Sequence, residues 1–197
     1  MTTLLLYPGA GSDSNQPSLL AIERAVAPMR CVRADFPYRR AGRKAPDRPE
    51  VLMASIRETL ATLPADEPLV MGGRSMGGRM CSMVAAGVDG LPAPGNLRGL
   101  VLISYPLHPP GQPAKLRVDH LPAISVPTLF ISGTNDAFGK PDELTHWTAT
   151  MSPKAKVGHV WLEGKGHDLK RCDDRIADEV NEFLARVASP RGRRPRG

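Results

Sequence analysis

Apolar residues along the chain fall into two alternating rhythms. Short, nearly unbroken runs, "TLLLY" (3–7), "MRCVRADF" (29–36), "PLVMGG" (68–73), "GLVLISY" (99–105), "VPTLFISG" (126–133) and "KVGHVWLEG" (156–164), read as six strands. Segments with helical spacing separate most of them. "PSLLAIERAVAP" (17–28) reads as a helix closed by Pro28. In 49–63, Val51, Leu52, Ser55, Ile56, Leu60 and Leu63 share one face, with Pro49 in the first turn. Residues 76–87 and 141–151 read as helices, and 173–188 places Ile176, Val180, Phe183, Leu184 and Val187 on one side. Continuous apolar strands suit parallel neighbours covered on both faces. The alternation therefore predicts a doubly wound, mostly parallel six-stranded α/β sheet flanked by helices. No repeat or linker divides residues 1–188, which read as one domain. The proline-rich stretch from Pro106 to Pro127 joins strands four and five and is too short for a lid domain.

Composition narrows this picture. The chain has 197 residues and a net charge of +6. Four arginines, Arg191, Arg193, Arg194 and Arg196, stand in the final "SPRGRRPRG"; without these four of the 26 bases, against 20 acids, the rest carries a net +2. The folded part is thus nearly balanced, and residues 189–197 read as a disordered basic tail, with nucleic acid limited to weak contact there. No apolar run is long enough to span a membrane. The opening segment lacks the basic region, long apolar stretch and cleavage site of a secretion signal. Cys31, Cys81 and Cys172 are odd in number and widely spaced, which argues against a disulfide framework and for a reducing, cytoplasmic setting. No spacing suggests a metal site, and no cofactor is implied. The sequence leaves oligomeric state open.

The stretch "VMGGRSMGGRM" (70–80) surrounds one serine with four glycines. "GRSMG" fits G-x-S-x-G, a sharp strand-to-helix turn that exposes a serine hydroxyl, and Gly73 and Gly77 stand where a β-carbon would crowd it. Roughly one shuffled chain of this composition in ten would contain the pentapeptide, so its place between an apolar strand and a helix carries the signal. A serine nucleophile needs a base, and the base an orienting acid. Asp136 follows strand five in "LFISGTNDAFG" and His167 follows strand six in "VWLEGKGHD". Both fall at the strand edge that holds Ser75, in the order serine, acid, histidine. Two backbone N–H groups would bind a developing oxyanion: Met76, directly after the serine, and Ala10 in the glycine-rich "YPGAGSDS" after strand one.

These segments, with "LISYPLHPP" and "LEGKGH", resemble a compact α/β hydrolase of the dienelactone-hydrolase-like group, and more closely the family of testis-expressed hydrolase-like proteins. The resemblance covers nearly all of residues 1–188. It implies a minimal α/β-hydrolase fold without a lid domain, Ser75, Asp136 and His167 as catalytic triad, and Ala10 and Met76 as oxyanion donors. Many hydrolases carry His-Gly after the first strand where this chain has Pro8-Gly9. Dienelactone hydrolases proper use a cysteine nucleophile, so their substrate is not carried over.

The expected activity is hydrolysis of a small ester or thioester through an acyl-enzyme. Acyl transfer by the same triad, and a non-catalytic binding module on the same fold, are the alternatives. His108 in "YPLHPP" and Tyr38 after strand two are candidate substrate contacts. Asp142 is the substitute acid, while His159 sits inside a strand. Met80, Met83 and Cys81 read as core. The loop "YRRAGRKAPDR" (38–48) carries five bases against Asp47, and reads as solvated or as attracting an acidic substrate. "GAGSDS" with Asp35 nearly matches a dinucleotide fingerprint, but Ser14 replaces the third glycine and the helix begins late, near Pro17.

Overall fold

A computed structural model describes residues 1–188; the tail predicted for 189–197 lies outside the described residues. Six strands, β1 (Thr3–Tyr7), β2 (Arg30–Arg33), β3 (Leu69–Arg74), β4 (Leu97–Ile103), β5 (Thr128–Gly133) and β6 (Gly158–Leu162), form one sheet in the order β2-β1-β3-β4-β5-β6. Every pairing is parallel, so the sheet is wholly rather than mostly parallel. The predicted strands at 29–36 and 156–164, which form the two edges, each lose four residues, and the first is left the shorter. Only four of its residues pair, and they are half-buried because β2 is an edge.

Helices α1 (Pro17–Ala25) and α6 (Asp173–Ala188) cover one face, packing Leu19, Ile22, Ile176, Val180 and Leu184 against Leu4, Leu6, Val70 and Val101. The short α2 (Pro37–Arg40), α3 (Pro49–Ala61), α4 (Met76–Ala85) and α5 (Pro141–Thr148) lie over the other, where Leu5, Tyr7, Met71, Leu100 and Leu102 point. The alternation along β1, with Leu4 and Leu6 on one face and Leu5 and Tyr7 on the other, is the period-two rule applied to a strand buried on both sides. Val51 departs from expectation: it is exposed, and the buried residues of α3 are Leu52, Met53, Ser55 and Ile56. Position 51 lies about 120° round the helix from the middle of the stripe formed by Leu52, Met53, Ser55 and Ile56, and so faces solvent. No helix among the described residues is long and apolar enough to cross a membrane.

Connections from β1 leave toward β2, and those from β3 leave toward β4, so the chain reverses direction between two adjacent strands. Their outgoing loops splay apart and open a crevice at the carboxyl edge. Residues 8–16 and Ser75 stand at that crevice.

The long connection from β4 to β5 is pinned by polar side chains as well as by Leu107, Val118 and Leu121. The Tyr105 hydroxyl donates to the carbonyl of Arg117 at 2.6 Å. The Ser82 hydroxyl on α4 donates to the carbonyl of Arg79 at 2.7 Å, so His120 Nε2, 2.8 Å from Ser82 Oγ, is the donor of that second bond. Its surroundings also favour the neutral ring. Burial, and next the charge of Arg79, push its pKa down from 6.5 to about 4, against the opposing pull of Asp119. Between these values the unfolded chain binds a proton that the folded chain refuses, so folding stability falls as pH drops from about 6.5 toward 4. His120→Gln keeps a donor near Nε2 and removes the titration. Urea unfolding of the two proteins between about pH 7 and pH 4.5 should show a steeper loss for the native chain, a difference on the order of 3 kcal/mol across the window. Parallel curves would assign the loss to other groups.

Candidate active site

Only one residue, Ser75, separates β3 from α4, so the chain turns from strand to helix within a single set of dihedrals. That residue adopts φ 49° and ψ −115°, a region that residues with a β-carbon rarely enter. The Ser75 N–H is fixed to the carbonyl of Ile103 on β4 at 2.8 Å. The flanking glycines answer to close approach. A β-carbon at Gly73, itself at φ +150°, would strike the backbone of Tyr7, and one at Gly77 would strike the carbonyl oxygens of Tyr7 and Pro8. Gly72 and Gly78 are hemmed in likewise by Val101 and by the carbonyl of Gly73.

The structure brings Ser75, His167 and Asp136 together. His167 Nε2 lies 2.8 Å from Ser75 Oγ, and His167 Nδ1 lies 3.0 and 2.9 Å from the two carboxylate oxygens of Asp136. A carboxylate only accepts, so Nδ1 carries the imidazole proton and Nε2 is left to accept the serine hydroxyl. Asp136 is 1% exposed, and the Phe138 N–H donates to its Oδ1 at 2.8 Å. The Phe138 ring stacks on the imidazole with centroids 3.9 Å apart. Asp142, the substitute acid, is exposed at the start of α5, and its carboxylate bonds to no histidine among the described residues. His159 is stacked between Phe130 and Trp161 and bonded to Thr148, as a strand histidine.

Two residues hold the His167 loop from below. Arg74 Nη2 and Ser104 Oγ both donate to the carbonyl of His167, at 2.8 and 2.9 Å. Arg74 is 5% exposed, and burial works against its charge while Asp173, Asp168 and Asp136 support it. Ser104 sits at φ 49°, immediately past β4. Neither was expected from the sequence. An arginine closing a buried strand, one residue before the serine, was the available signal for the first.

The loop after β1 approaches the serine as expected. A β-carbon at Gly9 would lie 3.7 Å from Ser75 Cβ. The Gly9 N–H is bonded to Gln16 Oε1, and Asp35 accepts from both the N–H and the hydroxyl of Ser14. Asp35 thus ties down this loop, and α1 begins only at Pro17, which removes the dinucleotide reading. Met76 opens α4, so its N–H has no acceptor inside the helix.

Tyr38 requires a correction. Its side chain is fully buried in α2, and its hydroxyl donates to the carbonyl of Ala10 at 2.7 Å. It supports the loop that carries Ala10 and offers no surface to a substrate. His108 is 5% exposed, with Nδ1 on the carbonyl of Pro109 at 2.9 Å and Nε2 3.4 Å from Glu143, off hydrogen-bond alignment. It holds the loop rather than lining an open pocket. Cys81 is buried, its thiol pushed up by desolvation and bonded to the carbonyl of Gly72. Most of loop 39–48 is exposed, with Arg43 paired to Asp47 and Arg39 to Asp13. A surface cavity of about 440 Å³ between α1 and the start of α6 contains none of the predicted site residues. No group of three or more His, Cys, Asp or Glu among the described residues could hold a metal ion.

The strain at position 75 is measurable. Ser75→Gly removes the β-carbon that makes the dihedrals costly and should stabilise the fold by about 1 kcal/mol, while Ser75→Ala keeps the β-carbon and should not. A thermal melt of the glycine variant should rise by about 2–4 °C above that of the alanine variant. Equal melting temperatures would show that the turn is relaxed.

Structures with this architecture are known. Est1E from Butyrivibrio proteoclasticus superposes with a TM-score of 0.72 at 13% identity, covering 96% of this chain and 89% of that one. A structure reported for LipS and LipT, two metagenome-derived lipolytic enzymes, gives 0.72 at 17%, covering 94% of each chain. Alpha/beta hydrolase domain-containing protein 10 from mouse gives 0.70 at 12%, covering 94% and 90%. At such identities the likeness is one of fold. The family model described as Alpha/beta hydrolase domain matches residues 1–190, and the chain belongs to that family.

Proposed function

We propose that the protein is a serine hydrolase that cleaves esters or thioesters of small substrates. The observation that carries this reading is the hydrogen-bonded chain Ser75–His167–Asp136, set on a strained turn at the crevice of the sheet. Ser75 Oγ attacks the substrate carbonyl as its proton passes to His167 Nε2. Asp136 keeps the imidazole in the required tautomer and stabilises the imidazolium, and Phe138 fixes the ring plane. The N–H groups of Met76 and Ala10 take up the oxyanion. His167 then returns the proton to the leaving oxygen or sulfur, the acyl-enzyme forms, and water attacks it with His167 again as base. Est1E and the LipS and LipT lipolytic enzymes share the fold, and their names support an esterase-like chemistry here. Within the family we read the chain as closest to the dienelactone-hydrolase-like and testis-expressed hydrolase-like group, on "GGRSMGGR" and "LISYPLHPP". We also read residues 1–188 as its single domain, and the three free cysteines fit a reducing compartment.

A fluorophosphonate probe should label the purified protein. Ser75→Ala should abolish labelling, and Asp136→Asn should lower kcat on the order of 10⁴-fold through the wrong tautomer. Folded protein that takes up no probe would count against an enzyme and for a binding module.

Substrate size follows from the β4–β5 connection. Residues 104–127 are held onto α4 and β4 by Tyr105, Leu107 and His120 and contain no regular element beyond the 3-10 turn Leu121–Ala123, so we read the site as open. An open site shields little of a long acyl chain, so each added methylene should gain less than the ~0.8 kcal/mol of full burial. Among p-nitrophenyl acetate, butyrate and palmitate, kcat/KM should favour the short esters. A steady climb to palmitate would reveal an acyl pocket and overturn the open-site reading.

A further inference from the structure

Many arginines of the folded chain have found an acid. Arg57 grips Asp89, Arg33 pairs with Glu23, Arg30 with Glu67, Arg39 with Asp13, Arg43 with Asp47 and Arg175 with Glu179. Arg79 and Arg117 have not: neither forms an ion pair among the described residues. Arg79 is moreover half-buried, its Nε is sequestered without an acceptor, and Arg117 stands near enough to repel it. Desolvation is the main force against its charge, and no acid among its neighbours opposes that force. The neutral groups around the two do not serve as counter-ions. Tyr105 lies against Arg79 with its hydroxyl proton given to the carbonyl of Arg117, and His120 donates to Ser82 and is held uncharged. Asp119 acts on His120 but does not figure among the charges felt by Arg79.

Position matters as much as charge. The Arg79 N–H donates to the carbonyl of Ser75 at 3.0 Å, one helical turn along α4. Helical side chains lean back toward the N-terminus, so the Arg79 side chain runs toward the Ser75 end of the helix. Tyr105 lies two residues past Ile103, whose carbonyl receives the Ser75 N–H. The cluster therefore flanks the nucleophile at the same sheet edge. Two adjacent cations, one of them desolvated, are costly without an anion, and a guanidinium fork matches the two oxygens of a carboxylate.

We propose that Arg79 and Arg117 form a carboxylate-binding subsite beside Ser75, and that the ester or thioester cleaved there bears a free carboxylate. An acidic substrate supplies the charge partner that the fold withholds from both arginines, and the subsite selects for it. The proposal on substrate rests on the hydrolase reading above; the subsite does not.

Glutarate is the probe, with ionic strength held constant by sodium chloride. It should inhibit hydrolysis of p-nitrophenyl acetate competitively and raise the melting temperature. Arg79→Gln and Arg117→Gln should each weaken the inhibition constant by at least about tenfold. Arg79→Lys, which keeps the charge but loses the fork, should fall between. Lys154→Gln, an exposed charge change on the 3-10 turn after α5, should behave as the native chain. Because Arg79→Gln could weaken the fold, Arg117→Gln serves as the second variant. If glutarate acts no more strongly than the same ionic strength of chloride, or inhibits the Gln variants equally, the subsite is wrong. Should Ser75 take no probe and no ester be cleaved, the hydrolase reading fails. The glutarate-dependent melting shift and its loss in the two variants then decide the subsite alone.

Discussion

The backbone of β1 passes so close to the turn after β3 that no β-carbon fits between them at positions 73 and 77. Everything at the site depends on that approach. It places the loop after Tyr7 against Ser75, where the N–H groups of residues 10 and 76 are proposed to bind the oxyanion. It also holds the serine in left-handed dihedrals, because β3 must end and α4 must begin within a single residue if the sheet spacing is to be kept. Larger side chains would push the two strands apart and draw the two N–H groups away from each other. The four glycines around one hydroxyl are thus a steric requirement of parallel strands packed at van der Waals contact.

The second requirement is that His167 arrive at the right height. It lies 92 residues from Ser75, at the end of the sheet's far edge strand, and the residues after β6 form no regular element before α6. Its ring is held from three directions: by the Asp136 carboxylate, by the face of Phe138, and through its carbonyl by Arg74 and Ser104. Since Arg74 directly precedes Ser75, both Ser75 and His167 are tied to one short stretch of β3. A shift of that strand moves both together and preserves their separation.

Much of this was legible in the sequence, for reasons that differ by residue. The strands were visible because a strand buried on both faces must be apolar throughout, as "TLLLY" and "VPTLFISG" are. Ser75, Asp136 and His167 were legible because strand ends in a parallel sheet all fall on one edge, so chain order becomes spatial neighbourhood. The failures concern side-chain direction. Tyr38 stood at the correct edge, but the turn α2, which points its ring inward and its hydroxyl to Ala10, left no periodic mark in four residues. Val51 fitted the helical stripe by spacing alone, but which flank of that stripe packs inward is a tertiary fact, and the buried side centres on Leu52 and Ile56. Arg74 and Ser104 act through the carbonyl of a distant residue, a contact that no local pattern encodes.

Arg74 and Arg79 show how the same side chain takes its meaning from its partners. Both are drawn out of water within a few residues of Ser75, and both are opposed by desolvation. Arg74 gives a hydrogen to the carbonyl of His167 and feels three acids, so its charge is satisfied by the fold and its work is internal. Arg79 feels only a tyrosine hydroxyl in its favour and a second arginine against it. A fold that needed Arg79 for packing alone could use a straight-chain apolar residue at lower cost, since burying an unpaired cation is worse than burying a hydrocarbon of like volume. On the proposed reading the charge answers to an anion outside the chain. Its place one turn from Ser75 then sets where that partner would sit: in the crevice, with its ester carbonyl at Ser75.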